Sequence, residues 1–304
     1  MHIFAAAVLL TLTLAACSIE RMAVDRIGNA LAAGGSVYAS DDDPDFIREA
    51  IPFGLKTSES LLAVSPDHRG LLLAAASGYT AYAYILQDSA DRVAANDAAR
   101  AREMRARASR MYLRGRDYAL RGLEVAHSGF TSALRRDRAA ALAATDGGDI
   151  AFLYWAGAAW AGALGAAKDN LDLIAELPLA GALVERVLVL DASFDRGAAH
   201  DFFIAYEGGR PGGSAAAARQ HYRQALSFSG GLRASAHLAL AEAVAVGAQD
   251  VAEFRALLAA ARAVDPDRAP ELRLANVLAR RRAEWLMTRI PELFIESNDT
   301  EETQ

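Results

Sequence analysis

Six histidines and one cysteine are the side chains of this 304-residue sequence most suited to ligating metals or acting as nucleophiles. No two histidines have the i, i+4 spacing of a helical zinc site, and a single cysteine excludes intrachain disulfides and multi-cysteine metal sites. Ser193, His200 and Asp201 come nearest to a hydrolytic triad, but no nucleophile elbow surrounds the serine. The sequence therefore predicts no catalytic residue, no metal and no cofactor, and a hydrolase is the least favoured class of function.

The cysteine, Cys17, follows an apolar segment that starts at Ile3 and ends in Leu14-Ala-Ala. The segment is too short to span a bilayer and has the length of the apolar core of a secretory signal. Leu-Ala-Ala-Cys resembles the bacterial lipobox, which implies cleavage after Ala16 and lipidation of the Cys17 thiol. The alternative is an ordinary secretory signal with a chance cysteine, and the absence of Lys or Arg before Ile3 departs from the usual pattern.

A lipidated Cys17 would bind the chain to a membrane, because each buried methylene of an acyl chain contributes about 0.8 kcal/mol. Ser18 follows the cysteine, whereas Asp at that place would indicate retention at the inner membrane. The sequence therefore favours the periplasmic face of the outer membrane over the inner membrane.

Composition excludes two broad classes of protein. The 32 Lys and Arg residues are outnumbered by 38 Asp and Glu residues, and the net charge of −6 argues against a nucleic-acid binder, which needs a basic face. A hydrophobic fraction of 53% is too high for a disordered chain. Much of that fraction is Ala, which favours helices, so the predicted fold class is all-α.

Helical periodicity and turn residues divide the sequence into four parts. Residues 1–16 are predicted to be a lipoprotein signal peptide, and residues 17–44 to hold the lipid anchor, a short helix and a linker. Residues 45–295 are predicted to form a domain of helical hairpins. Residues 296–304 are polar and acidic, and are predicted to be a disordered tail.

Three turns of the helical domain resemble one another. At residues 64–68, 190–194 and 264–268 an apolar helix ends and another begins, in a pattern that resembles the seam between tetratricopeptide repeats. The repeat period is not strict. Stacked antiparallel hairpins of this kind make a curved solenoid with a concave face, which is the architecture that the sequence predicts.

Two groups of side chains are candidate binding surfaces. Seven arginines between residues 100 and 116 lie on a long helix predicted for residues 91–127, and form either a solvated face or a docking strip for an acidic partner. Aromatic residues form the second group, in which one cluster holds Tyr154, Trp155 and Trp160 and the other Tyr79, Tyr82 and Tyr84. They are interpreted either as core or as the wall of an apolar ligand cavity, with Tyr154, Trp155, Trp160, Tyr79 and Tyr82 as its candidate residues.

Segments from residue 39 to residue 213 resemble one family. The similar segments are Ala-Ser-Asp-Asp-Asp-Pro-Asp at 39–45, Ala-Ile-Pro-Phe at 50–53, Leu-Leu-Ala-Val-Ser-Pro-Asp-His-Arg-Gly-Leu-Leu-Leu at 61–73, Tyr79–Tyr84, the aromatic segment 154–160 and residues 200–213. The family is the T component associated with tripartite ATP-independent periplasmic (TRAP) transporters. Ser-Pro-Asp-His-Arg-Gly is the most specific part. The resemblance implies a tetratricopeptide-like periplasmic lipoprotein that pairs with a TRAP-type solute-binding protein and holds or passes a small apolar or carboxylate ligand.

Together these observations predict a non-enzymatic, lipid-anchored accessory of a TRAP-type uptake system. Its expected partners are a periplasmic solute-binding protein and a membrane, not nucleic acid, and a homo-oligomer is compatible with the sequence. The rival hypothesis is a general tetratricopeptide scaffold in envelope assembly or secretion.

Overall fold

The computed structural model describes residue 22 and residues 24–295. In this part of the chain every regular element is a helix and there is no strand, which confirms the all-α prediction. None of the helices described combines the length and the apolar character needed to cross a bilayer. The predicted signal peptide, Cys17 and the predicted acidic tail lie outside the described residues.

The helices follow one another with short connections. In chain order they are α1 (24–33), α2 (Gly35–Ala39), α3 (Pro44–Val64), α4 (Arg69–Val93), α5 (Ala98–Ala126), α6 (Phe130–Arg136), α7 (Arg138–Ala143), α8 (Ile150–Ala166), α9 (Leu171–Asp191), α10 (Phe194–Gly209), α11 (Ala215–Ser229), α12 (Ala234–Leu240), α13 (Val251–Ala263), α14 (Arg273–Thr288) and α15 (Ile290–Leu293). A π-helical turn, Ala241–Ala245, continues α12, and 3₁₀ turns lie at Gly147–Asp149, Pro266–Arg268 and Pro270–Leu272.

Aspartates that cap helices explain two differences from the predicted boundaries. The long helix predicted for residues 91–127 is interrupted, because the Asp97 carboxylate accepts from the Arg100 N–H and starts α5 afresh. Asp137 in the same way accepts from the Ala140 N–H and separates α6 from α7, where the sequence predicts no break. A side-chain oxygen at such a position satisfies an otherwise unpaired N–H of the first helical turn.

Close packing between neighbouring helices depends on small residues. A Cβ added to Gly157 of α8 would lie 2.5 Å from Val184 Cγ2 of α9 and 2.7 Å from the Ala180 carbonyl oxygen. A Cβ on Gly115 of α5 would lie 2.7 Å from Thr80 Oγ1 of α4. The Ala- and Gly-rich composition thus lets the helix backbones approach one another closely.

The last long helix packs against the first ones. Helix α14 contacts α2, α3 and α4, and its Leu274 and Leu278 join the main hydrophobic core, whose other members lie between Ile47 and Phe203. In a simple solenoid each repeat contacts only its neighbours. The described part of the chain does pack neighbouring helices in sequence, but it also closes its end onto its beginning, which the predicted curved solenoid does not include.

Candidate functional site

The closure of the chain arranges five helices in a ring of contacts. Helices α4, α8, α10, α12 and α14 contact one another in a closed circuit: α4 with α8, α8 with α10, α10 with α12, α12 with α14, and α14 with α4. Side chains on the inner faces of these helices therefore point towards one another. We call the space inside the circuit the central lumen.

Tyr84 of α4 identifies the wall of the central lumen. Its side chain is 39% exposed, yet burial raises the pKa of its hydroxyl, and the charges that act on it include Arg282 of α14 and Asp201 of α10. The hydroxyl of Tyr84 is thus within reach of charges on two other helices of the circuit. Tyr84 thus combines free surface with surroundings made of protein.

Arg282 joins three parts of the circuit. Its side chain is only 17% exposed; the Nε atom lies 3.0 Å from Glu242 Oε1, and the Nη1 atom lies 3.1 Å from Asp91 Oδ2 and 3.5 Å from Asp88 Oδ1. Charge-assisted contacts of this kind are the stronger hydrogen bonds in proteins. Arg282 therefore fixes α14 and the π-helical turn to the end of α4.

The carboxylates around Arg282 have further partners. Asp88 is also paired with Arg92 at 2.8 Å, and Asp91 with Arg105 at 2.8 Å. Each arginine of this cluster thus faces at least one carboxylate and each carboxylate at least one arginine. The charges at this side of the central lumen compensate one another.

A second polar group lies where α10 meets α12. Arg233 is 7% exposed, and its guanidinium donates to the Asp195 carbonyl at 2.5 Å and lies 3.1 Å from the Asp195 carboxylate. Ser235 donates to Asp201 Oδ2 at 2.5 Å. Burial raises the pKa of Asp201, although Arg233 and Ser235 oppose the shift. Arg233, Asp195 and Asp201 all act on Tyr154 of α8, whose pKa burial also raises.

Backbone strain is concentrated beside this group. Asp195, Arg196 and Gly197 have φ of 43°, 53° and 84°, so that three consecutive residues form a left-handed turn at the start of α10. Left-handed geometry is unfavourable for residues with a Cβ and persists only where the surroundings hold it. Here Arg233 binds Asp195, and Arg196 binds Glu271 at 2.6 Å. The turn sets Phe194 against Tyr154, with ring centroids 5.5 Å apart.

Three of the five candidate cavity residues lie in the core. Trp160 is 1% exposed, its Nε1 donates to Glu176 at 3.0 Å, and the Arg116 and Arg135 guanidiniums lie over its ring. Tyr79 and Tyr82 are also buried. These rings are packed by protein atoms because α4, α5 and α8 meet there.

The other two candidates have free surface. Tyr154 and Trp155 are partly buried, pack edge to face with centroids 5.1 Å apart, and lie on the border of the main core. Tyr154 is the one on which the charges of Asp201 and Arg233 act. Sequence reasoning missed the charged residues of the central lumen, because they come from helices far apart in the chain, and only the Tyr79–Tyr84 cluster gave a signal for Tyr84.

The most specific of the family-like segments, Ser65–Gly70, has a structural role. His68 caps α4, because its Nδ1 accepts from the Leu71 N–H at 3.1 Å, and Ser65 donates to Asp25 of α1 at 2.6 Å. Arg69 reaches Asp149, before α8, at 2.7 Å. The segment thus ties α1, α4 and α8 together, and it borders a shallow depression of about 420 Å³.

Arginines of the predicted docking strip on α5 lie over tyrosine rings. The guanidinium of Arg107 lies 5.5 Å from the centroid of Tyr82, and that of Arg114 lies 5.2 Å from the centroid of Tyr79. Such cation–π contacts favour one orientation of a long side chain. Among the residues that the structure describes, no three His, Cys, Asp or Glu side chains are arranged to hold a metal ion.

Comparison with known proteins gives two results. The chain is 27% identical to an uncharacterized protein of Treponema pallidum (strain Nichols), over 93% of this chain and 94% of that protein. The sequence profile described as TRAP transporter T-component matches residues 40–294. Because this match includes the whole helical circuit and most of the chain, the protein belongs to the TRAP transporter T-component family.

Proposed function

We propose that this protein is a non-enzymatic periplasmic lipoprotein, anchored through Cys17 to the outer membrane, that docks a TRAP-type solute-binding protein and holds a small ligand in the central lumen. The observation that carries the proposal is Tyr84, an aromatic ring with free surface inside a closed circuit of helices. Family membership supports the transport role. The local stacking of hairpins supports descent from tetratricopeptide-like repeats.

The charges of the central lumen favour an uncharged, largely apolar ligand over a carboxylate. Arg282 lies among Glu242, Asp88 and Asp91, and Arg233 is bound to Asp195. A ligand carboxylate would have to displace one of these protein carboxylates and leave it buried without a partner, which is costly. Tyr84 and Tyr154 offer ring surface and hydroxyl groups to an uncharged ligand.

Ligand binding is tested with Nile red, an uncharged fluorescent probe, and with a dansylated fatty acid as the carboxylate probe. We expect Nile red to bind and the fatty acid to bind at least about tenfold more weakly, a difference of about 1.4 kcal/mol. Tyr84→Arg should abolish Nile red binding. Val125→Arg is the matched control, because Val125 is 40% exposed on α5, outside the circuit.

Partner binding is tested separately, by biolayer interferometry between the anchored chain and the solute-binding protein of a TRAP system from the same organism. We expect a transient complex, with a Kd of the order of micromolar. No association at high micromolar concentration would instead favour the general scaffold in envelope assembly or secretion. Sedimentation of the same sample shows whether the chain forms a homo-oligomer.

A further inference from the structure

Exposed large apolar side chains are concentrated near the N-terminus of the described chain. Phe53 of α3 is 81% exposed, and other residues of α1, α2 and α3 also keep much of their apolar surface in solvent. We define the N-terminal apolar face by Ile27, Leu31, Val37, Tyr38, Phe46 and Phe53. Single exposed apolar residues are ordinary on protein surfaces, but a group of large ones marks an interaction site.

Within α1 and within α3 these residues lie on one side of the helix, and α2 lies against α3. Ile27 and Leu31 are four residues apart on α1, which packs on α4 through Gly28: a Cβ there would meet Leu71 at 2.8 Å. Phe46 and Phe53 are seven residues apart, two turns along one side of α3. Tyr38 places α2 beside that helix, because its hydroxyl lies 2.9 Å from where a Cβ on Gly54 would be.

The acidic residues next to Phe46 are engaged within the protein. The Asp41 carboxylate accepts from the Asp43 N–H at 2.8 Å, and the Asp43 carboxylate caps α3. Asp45 pairs with Arg281 of α14 at 3.0 Å. These three carboxylates therefore have partners within the protein.

The position of Cys17 indicates what covers this face. Five peptide steps separate Cys17 from Met22, and a fully extended chain of that length spans about 18 Å. A lipid on Cys17 therefore keeps Met22, two residues before α1, within that distance of the bilayer surface. Such a tether raises the effective concentration of nearby protein surfaces at the membrane. A surface that binds lipid only weakly by itself then stays on the bilayer.

We propose that the N-terminal apolar face lies on the lipid bilayer, with Phe46 and Phe53 in the interfacial region, and so sets the orientation of the whole helical domain. The inference rests on the lipid anchor of the proposed function. Proteins that lie on a membrane without crossing it typically bury aromatic and aliphatic side chains in the interfacial region. The polar residues around those side chains lie among the lipid headgroups. The face then leaves the opposite side of the molecule available to a periplasmic partner.

The test couples the chain that begins at Cys17, through its only thiol, to a maleimide lipid in phosphatidylcholine vesicles with brominated acyl chains. This chemical anchoring makes the result independent of whether cells lipidate Cys17. Phe53→Trp adds a fluorophore to the face, and Val189→Trp is the matched control, 69% exposed on α9. Fluorescence of the parent chain, with its three tryptophans, is subtracted, and circular dichroism confirms that both variants fold.

We expect bromolipid to quench the added fluorescence of Phe53→Trp about threefold more than that of Val189→Trp. Equal quenching of the two variants, or none of either, would overturn the proposal. Sedimentation of the unanchored Cys17→Ser chain tests the other occupant. If the chain forms a dimer that Phe53→Asp dissociates, and Phe53→Trp is not quenched on vesicles, then the face belongs to a second copy and not to the bilayer.

Discussion

Arg282 of α14 and Asp91 of α4 are 191 residues apart in the sequence, and their side chains meet at 3.1 Å. This contact closes the circuit of helices around the central lumen. Because Glu242 and Asp88 approach the same guanidinium, one arginine joins carboxylates of α4 to a carboxylate of the π-helical turn.

Arg282→Met should lower the free energy of unfolding by about 3 kcal/mol, because it leaves partly buried carboxylates without their shared cation. Urea denaturation measures the loss. Arg281→Met is the matched control: its side chain is more exposed and pairs with the exposed Asp45, so its loss should cost less than about 1 kcal/mol. If both variants unfold alike, the contacts of Arg282 do not stabilise the closed circuit.

Trp160→Ala should lower the free energy of unfolding by about 3–5 kcal/mol, because it opens a cavity among packed side chains. Thermal melts and Nile red binding are measured on the same samples. Below the melting temperature we expect the affinity for Nile red to be nearly unchanged, since Trp160 is 1% exposed. If the variant is as stable as the parent chain but no longer binds Nile red, then Trp160 lines the ligand cavity.

Gly157→Ala should destabilise the chain by about 1–3 kcal/mol, because its Cβ would overlap Val184 and the Ala180 carbonyl. Gly165→Ala, in the same helix, meets no atom nearer than 3.7 Å. It should be neutral or stabilise by up to about 1 kcal/mol, since Ala favours helices more than Gly. Chemical denaturation compares the two variants. If the two variants have similar free energies of unfolding, the overlap at Gly157 does not cost stability, and α8 and α9 separate enough to admit a methyl group.

His200 and His221 should make the chain less stable in mild acid. Their Nδ1 atoms lie 2.9 Å apart, with the rings of Phe228 and Phe203 stacked on them. Burial, together with His221, lowers the pKa of His200 to about 4. Burial also lowers the pKa of His221, although Glu207 opposes the shift.

Between pH 6.5 and 4 the unfolded chain therefore binds more protons than the folded chain. The free energy of unfolding should fall as the pH is lowered through that range, by about 2 kcal/mol, and the contribution of the pair is fully present above pH 6.5. Urea titrations at a series of pH values give the slope, and His200→Gln should flatten it. Parallel slopes for parent and variant would assign the acid sensitivity to other groups.

Cys17→Ser should abolish the incorporation of labelled fatty acid and leave an uncleaved precursor, because the hydroxyl cannot replace the thiol as lipid acceptor. Fractionation of the envelope follows the position of both proteins. If parent and variant fractionate alike and neither takes up label, Cys17 is not a lipid site and the chain is not held by an acyl anchor.

Local signals in the sequence were sufficient for the fold class and for many helix boundaries. Apolar periodicity predicted the helices, and acidic and Ser residues before them are the caps that the structure shows at Asp43 and Ser214. The sequence did not predict the helix breaks at Asp97 and Asp137. In a charged helical segment, an Asp that caps a helix has the same sequence pattern as an Asp exposed to solvent within one. Only the structure shows that the carboxylate accepts an N–H.

The candidate site was less predictable, because it depends on contacts between distant parts of the chain. An aromatic cluster such as Tyr154–Trp160 has the same pattern whether it is core or cavity wall, and only burial separates Trp160 from Tyr154. The approach of Arg282 to Asp88 and Asp91 has no local sequence signal. The left-handed turn at Asp195 and Arg196 was also unforeseen, since neither residue favours a positive φ as Gly does.

The share of α14 in the main core bears on how this chain folds. Leu274 and Leu278 complete a core whose other members precede residue 204, so a chain still lacking its last thirty or so residues has nothing to cover that apolar surface. Contacts of such high sequence separation slow folding, since their loop-closure entropy is lost before they form. A nonsense mutation just before α14 should thus yield an aggregating product and not a shortened, functional array.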